Sequence, residues 1–466
     1  MKVGARLSVC AVVTSLASAR NFTDLGPCGR AGRWGETVEE KLFFLKTIKT
    51  AGSTTRFAFM RFARGERMAT LRANAPGGIL FALDGSNQRW LPRDKMRAAP
   101  GGSRPRPPGS APYDIAADHS TLDLARLREA LPGARWVTVS RPVLSRVKSA
   151  MKMFHNEATP HAYFKDSCAR ASSAGLCQGR PRRLPPQDTL HIWNSIAWQM
   201  GIKLPRIDLG DTERMAAVLA LVNVTPVVKR IEGIGAETFS LTMLTERYDE
   251  SLVLLRSLLC WRWLDVLTPE PPLSPIQQSG AARLAAKRKR AAAVRADPLN
   301  GTLDRTILEL NPVDMAIHEA AVRRFAAHVD AYGGAEVLAR DVRFFRSFRM
   351  AVAVTCLQCR APTGSQPPAP AYGAVPCAAL RETCDELQYQ VLPAVSNHRG
   401  SAAAIRQAIE ARRHNEAEAE HAIVYLLDGC EEHMATVRVC SRHKTCCATG
   451  DLCTRGMAEV PTQLNF

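Results

Sequence analysis

The chain alternates short, wholly apolar runs with longer stretches in which apolar residues return every three or four positions. Leu42 to Leu45 is such a run, and with no polar residue on either face it predicts a strand buried in a parallel sheet. A hydroxyl-rich loop follows, and Arg56 to Arg67 then carries Phe57, Met60 and Phe62 at helical spacing. Gly78 to Leu83 reads as a second strand, Leu122 to Leu131 as a helix, Arg135 to Ser140 as a strand and Val143 to Phe154 as a helix. Leu190 to Met200 is a candidate amphipathic helix with Trp193 and Trp198. Tyr248 to Leu267 is the strongest helical pattern, with Asp249 and Glu250 in its first turn where the dipole favours them. Val313 to Phe348 reads as helical, interrupted at Gly333-Gly334. Residues 22–40 form a polar lead-in, and 98–112, 269–275 and 361–376 are breaks rich in proline or glycine. No internal repeat is visible. Strands alternating with helices predict an α/β fold, a parallel sheet flanked by helices, which binds ligands at the carboxyl ends of its strands. Both the loop after Leu45 and the segment from Ser140 open on that edge.

Charge narrows the partners. Over 466 residues, 62 Lys and Arg against 44 Asp and Glu give a net charge of +18, which attracts a polyanion, an anionic cofactor or an acidic glycan. Aromatic content is only 6% and the basic residues are dispersed, which argues against nucleic acid. Lys287 to Arg290 is read as a solvated face in an Ala-rich stretch. At the N-terminus, Lys2 and Arg6 precede an apolar or small run, Leu7 to Leu16, and Ala17-Ser18-Ala19 fits a cleavage site. That run is shorter than the roughly 20 apolar residues of a membrane span. Residues 1–20 are therefore a signal peptide or a short signal anchor, the latter implying membrane anchorage. Nine of the 14 cysteines fall in the last quarter, which predicts disulfides in an oxidising compartment. Cys356-x-x-Cys359 lacks a second pair at zinc-ribbon spacing, so no metal site is expected. Sequons at Asn21, Asn223 and Asn300 are compatible with a lumenal chain.

The chemistry concentrates in Lys46-Thr47-Ile48-Lys49-Thr50-Ala51-Gly52-Ser53-Thr54. A strand, a small hydroxyl-rich loop and a helix start hold an anion through backbone N–H groups and the helix dipole. Lys49 adds a mobile positive charge, and Ser53 and Thr54 add hydroxyl donors. The nucleotide-triphosphate loop is excluded, because its lysine follows its second glycine and here the lysines precede the one glycine. Arg141 just after a strand and Ser149 eight residues on can clamp one phosphate, guanidinium and hydroxyl together. Upstream, Tyr113-Asp114-Ile115-Ala116-Ala117-Asp118-His119 offers an imidazole that suits proton removal from a hydroxyl, or else caps a helix starting near Ser120. Leu244 to Leu255 reads physically as a charged turn entering a buried helix.

Four of these segments resemble, in order, the galactose-3-O-sulfotransferase family, which includes galactosylceramide sulfotransferase. The loop Leu45 to Thr54 is similar to that family's phosphosulfate loop, and Val137-Thr138-Val139-Ser140-Arg141-Pro142 with Ser149 to its 3′-phosphate clamp. Tyr113 to His119 stands where such enzymes place a histidine near the acceptor. Leu244 to Leu255, continued through Trp261, is the closest string. The likeness covers most of residues 41–395 discontinuously, and the tail beyond about 400 has no counterpart. It implies a sulfotransferase core similar to nucleotide kinases over residues 21–355, with a Cys-rich extension, 356–466, partly packed on it. It implies 3′-phosphoadenosine 5′-phosphosulfate as donor, held by Lys46, Thr47, Lys49, Thr50, Ala51, Gly52, Ser53, Thr54, Arg141 and Ser149. Lys49 and His119 would be catalytic. The acceptor implied is the 3-hydroxyl of galactose in a glycolipid or glycoprotein glycan, and the setting the Golgi lumen. Two departures stand out: the family's Arg-Asp/Asn-Pro is shortened to Arg141-Pro142, and Ile48 replaces a histidine between the two lysines. The second leaves another reading, a secreted binder of glycans or polyanions that has kept the fold and lost catalysis.

Overall fold

The computed structural model describes residues 41–154, 193–268 and 300–358 with short interruptions, and beyond these Thr383, Cys384, Leu387 and Glu420. In chain order the strands are β1 (Leu42–Leu45), β2 (Leu71–Ala73), β3 (Phe81–Asp84), β4 (Asn87–Trp90), β5 (Met96–Ala98), β6 (Ile115–Ala116), β7 (Arg135–Ser140) and β8 (Leu241–Leu244). The helices are α1 (Gly52–Gly65), α2 (Leu124–Ala130), α3 (Val143–Phe154), α4 (Ser195–Gln199), α5 (Thr212–Ala220), α6 (Thr225–Glu232), α7 (Tyr248–Leu259), α8 (Asn300–Glu309), α9 (Pro312–Ala331) and α10 (Ala335–Gln358).

Four strands form one parallel sheet in the order β6-β1-β7-β8. After β1 the chain builds β6 on one side and then crosses to place β7 on the other. The order therefore switches at β1, and in parallel sheets the crevice at such a switch receives ligands. β1 is apolar throughout because both its faces are covered. Phe44 stacks on Phe59 of α1 at 4.9 Å, while Phe43, pointing to the opposite face, meets Trp136 of β7 edge-on at 6.3 Å. Trp261 closes the α1 side, 4.4 Å from Phe62 and 5.2 Å from Phe59.

β1, β7 and α3 fall where the pattern predicts them, and the break at Gly333-Gly334 separates α9 from α10. The helix expected at Leu122 to Leu131 is shorter, Leu124–Ala130, and the one expected to end at Phe348 runs on to Gln358. Four other elements differ in ways that bear on the fold. The helix expected from Arg56 begins at Gly52, so the hydroxyl row Ser53 to Thr55 lies in its first turn. The helix expected through Leu267 ends at Leu259, because Cys260 takes the left-handed conformation (φ 53°) that terminates helices. Trp193 precedes α4, which starts only at Ser195. The strand expected at Gly78 to Leu83 begins, within the described residues, at Phe81 and pairs antiparallel with β4, outside the main sheet.

Cys356, near the end of α10, is disulfide-bonded to Cys384, so it is a cross-link and not a metal ligand. Glu420 is buried, and its carboxylate accepts from Trp263 N and Leu264 N at 3.1 and 3.2 Å. The signal-like N-terminus, Asn21, Lys287 to Arg290 and most of the tail lie outside the described residues, as do the 269–275 and 361–376 breaks and most of 98–112. Among the described residues no helix is long and apolar enough to cross a membrane.

Candidate functional site

The segment from Lys46 to Ala51 joins the carboxyl end of β1 to α1 at the switch point. Two of its residues, Lys49 (φ 62°) and Ala51 (φ 58°), adopt the left-handed conformation without being glycine. That costs roughly 1–2 kcal/mol per residue, and such strain persists only where the surroundings over-determine it. The surroundings do so here through the loop's carbonyls. Lys46 O receives Gln199 Nε2 at 3.0 Å and faces His119 Nδ1 at 2.9 Å. Thr47 O accepts from the Thr50 hydroxyl at 3.1 Å, and Lys49 O from Arg141 Nη1 at 3.0 Å. Ala51 O accepts from Thr55 N. With these acceptors tied back, what the loop and the first turn of α1 can offer an anion is backbone N–H. The first turn of α1 contains no acidic residue.

Not every residue named from the sequence plays the same part. Thr47 and Thr50 are buried, and their hydroxyls bond to one another at 2.6 Å. Thr47 also donates to Val139 O at 2.8 Å, which ties the loop to β7. These two side chains therefore shape the loop from within. Ser53 is exposed and Thr54 half-exposed at the start of α1, while Lys46 and Lys49 are partly buried. Gly52 is fixed by space: a Cβ there would stand 2.7 Å from Lys46 Cγ and 3.1 Å from Thr47 O, so the lysine stem lies where a side chain would be. Ile48 is buried, and its N–H is taken by Gln199 Oε1 at 2.7 Å.

Arg141, at the carboxyl end of β7, reaches this loop, which brings the two predicted phosphate-binding segments together. Its Nε donates to Ser145 Oγ at 3.0 Å, and Ser145 in turn donates to Pro142 O. Ser149, half-buried, lies one turn beyond Ser145 on α3. Ser145 was not singled out from the sequence, and its spacing of four from both Arg141 and Ser149 is the signal that would have found it. Burial holds Arg141's pKa below its ordinary value, with the charge of Glu246 opposing.

Glu246 belongs to a second polar chain missing from the sequence reading. It follows β8 and faces His318 Nε2 at 3.3 Å, and His318 Nδ1 meets Ser140 Oγ at 2.9 Å. Burial works against Glu246's ionisation, but the hydrogen bonds from His318, its own N–H and Thr245 prevail and hold its pKa below the usual carboxylate value.

His119 follows β6, the strand beside β1. It caps no helix: α2 starts at Leu124, and Asp123 accepts from Arg126 N at 3.1 Å as its cap. The Lys46 carbonyl can only accept, so Nδ1 carries the proton and a neutral ring has its lone pair on Nε2. Asp118 lies outside the described residues. Among the described residues, no group of three or more His, Cys, Asp or Glu is placed to hold a metal ion.

A family model described as Galactose-3-O-sulfotransferase matches residues 31–364. The chain is 27% identical over 318 residues to human Galactose-3-O-sulfotransferase 3, covering 67% of this chain and 62% of the relative. The mouse protein of the same name is 27% identical over 323 residues, with the same coverage, and the bovine one 27% over 225 residues, covering 48% and 46%. The matches thus span less than two thirds of the relatives' own length. No solved structure gives a significant match.

Proposed function

The chain belongs to the galactose-3-O-sulfotransferase family, and from that membership we propose that it moves a sulfuryl group from 3′-phosphoadenosine 5′-phosphosulfate to a sugar hydroxyl. The acceptor in this reading is the 3-hydroxyl of a terminal galactose in a glycolipid or glycoprotein glycan. One observation carries it: the carbonyls of Lys46, Thr47 and Lys49 are all tied back, so the strained loop and helix start favour an anion. The donor's 5′-phosphosulfate would be held by that loop, with the hydroxyls of Ser53 and Thr54 as further donors. Its 3′-phosphate would be held by Arg141 and Ser149.

Sulfuryl transfer is in-line displacement at sulfur, helped mainly by positioning and by charge stabilisation. Lys49 would offset negative charge gathering on the oxygen that leaves with the nucleotide. His119 would take the proton of the sugar hydroxyl on Nε2, because Nδ1 is committed to Lys46 O. The disulfide Cys356–Cys384 supports an oxidising compartment, and we place the protein in the Golgi lumen, membrane-anchored or soluble.

The test is transfer of labelled sulfate from the donor to a terminal β-galactoside. Loss of the base costs about 10²–10⁴-fold in such reactions, so His119→Ala should lose rate on that scale while Lys49→Ala loses both rate and donor affinity. Full transfer by Lys49→Ala would remove the role given to the loop. The second reading, a fold kept for binding sulfated glycans, rests on the apolar Ile48 between the two lysines. It predicts glycan binding with no affinity for the nucleotide.

A further inference from the structure

Gln199 is fully buried, ends the short helix α4, and belongs to none of the sequence motifs. Its single amide group holds the donor loop twice: Oε1 accepts from Ile48 N at 2.7 Å, and Nε2 donates to Lys46 O at 3.0 Å. Only Asn and Gln supply a neutral acceptor and donor side by side. The brace is itself anchored. The Asp314 carboxylate on α9 accepts from Ala197 N at 2.8 Å and Ile196 N at 3.3 Å, and Asn194 Oδ1 accepts from Asp314 N at 3.1 Å. Gln199 therefore stands on a fixed base and grips the loop just before the two left-handed residues, Lys49 and Ala51. It also shares the Lys46 carbonyl with His119.

We propose that Gln199 is a positioning residue for the transfer reaction. It holds the loop in its anion-receiving shape, and through the shared carbonyl it fixes where His119 stands relative to the donor's sulfate. This rests on the donor-site reading above. A side chain that only stabilised the fold would change the melting temperature and leave nucleotide affinity in the folded protein unaltered.

Gln199→Glu separates the two roles, because it is nearly the same shape. Its Oε1 can still accept from Ile48 N, but an ionised second oxygen faces the Lys46 carbonyl, acceptor against acceptor. Once protonated it can donate again, and burial against a carbonyl raises the pH at which this happens. Wild type carries every other pH effect on binding, so the quantity to read is the ratio of variant to wild-type affinity.

The experiment titrates 3′-phosphoadenosine 5′-phosphate into the full chain by calorimetry between about pH 5 and 8, with thermal melts alongside. Wild type, Gln199→Glu and Gln199→Leu are compared. One lost hydrogen bond of typical strength corresponds to about ten-fold in affinity. Gln199→Leu should therefore bind at least about ten-fold more weakly while folded. Gln199→Glu should be similarly weak at pH 8 and approach wild type as the pH falls. If wild type binds and the folded variants match it at every pH, the positioning role is wrong and the donor site stands. If folded wild type does not bind, the donor-site reading fails and this inference falls with it. Should the leucine variant not fold, the pH course of the glutamate ratio decides.

Discussion

Replacing Asp314 by leucine should destabilise the whole core, and the reason lies in one buried ion pair. Arg146 on α3 and Asp314 on α9 are both wholly buried, with Arg146 Nη2 3.0 Å from Asp314 Oδ2. Arg146 Nη1 also donates to Ser195 Oγ at 2.5 Å and Nη2 to Asn311 Oδ1 at 3.2 Å. The pair thus locks α3, α4 and α9 together beneath the proposed donor site. Burial lowers Arg146's pKa despite Asp314's charge, and raises Asp314's despite Arg146 and the N–H groups of Ala197 and Ile196. A buried pair of this kind contributes little net stability, because desolvating two charges offsets their attraction, yet breaking it strands a charge. Removing one partner of such a pair costs about 3–5 kcal/mol, roughly a 100- to 4,000-fold fall in the folded-to-unfolded ratio. Against a total stability of about 5–15 kcal/mol that is a large share. With a urea dependence of about 3 kcal/mol/M, the midpoint should drop by roughly 1 M or more. Replacing both residues, Arg146→Met with Asp314→Leu, removes the stranded charge and should recover at least about 1 kcal/mol of that loss. Urea unfolding of wild type, both single variants and the double variant completes the cycle. A cost below about 1 kcal/mol for Asp314→Leu, or a double variant as weak as the sum of the singles, would refute the reasoning.

Two further outcomes follow from individual side chains. Gly52→Ala sets a Cβ 2.7 Å from Lys46 Cγ; relieving such a clash costs about 1–3 kcal/mol of folding stability, so at a urea dependence of about 3 kcal/mol/M the midpoint should fall by roughly 0.3–1 M, and an unchanged midpoint would contradict the packing argument. His328 has its pKa pushed down to about 4 from 6.5, by burial first and then by Arg324's charge. The native state keeps this ring neutral, so its share of stability is complete above pH 6.5 and fades as the pH falls toward 4, where the unfolded chain takes up the proton. Melting temperature should accordingly decline less steeply across that window in His328→Gln, and parallel curves for the two proteins would count against it.

The sequence spoke most clearly where an element is defined by its own residues. β1 is a continuous apolar run, β7 is a run of aromatic and β-branched residues from Trp136 to Val139, and α3 has an unambiguous helical period, so their boundaries were legible. β8 was not, because Leu-Thr-Met-Leu is too short to show a period and flows into the charged turn at Thr245. The end of α7 was hidden for the opposite reason: apolar residues continue to Leu267, and only the left-handed turn at Cys260 stops the helix. At the candidate site, the loop, Arg141 and His119 could be read from residue type and order. Gln199 and His318 could not, since each reaches the site through a fold contact far along the chain and sits in no recognisable string, and Glu246, although inside the Leu244 to Leu255 string, meets His318 only through the fold. The roles of Thr47 and Thr50 also depended on direction: a hydroxyl in a loop can face a ligand or the core, and only packing decides which.

In the proposed donor site the loop after β1 and Arg141 together hold a nucleotide with phosphate at both ends. The most direct test is calorimetric titration of the full chain with 3′-phosphoadenosine 5′-phosphate and, separately, with adenosine 5′-monophosphate, in wild type and Arg141→Ala. A charge-assisted contact contributes about 1.5–3 kcal/mol, so wild type should prefer the doubly phosphorylated nucleotide by roughly 10- to 150-fold, and the variant should lose that preference. Equal affinity for the two nucleotides in wild type, or no binding of either by folded protein, would contradict it.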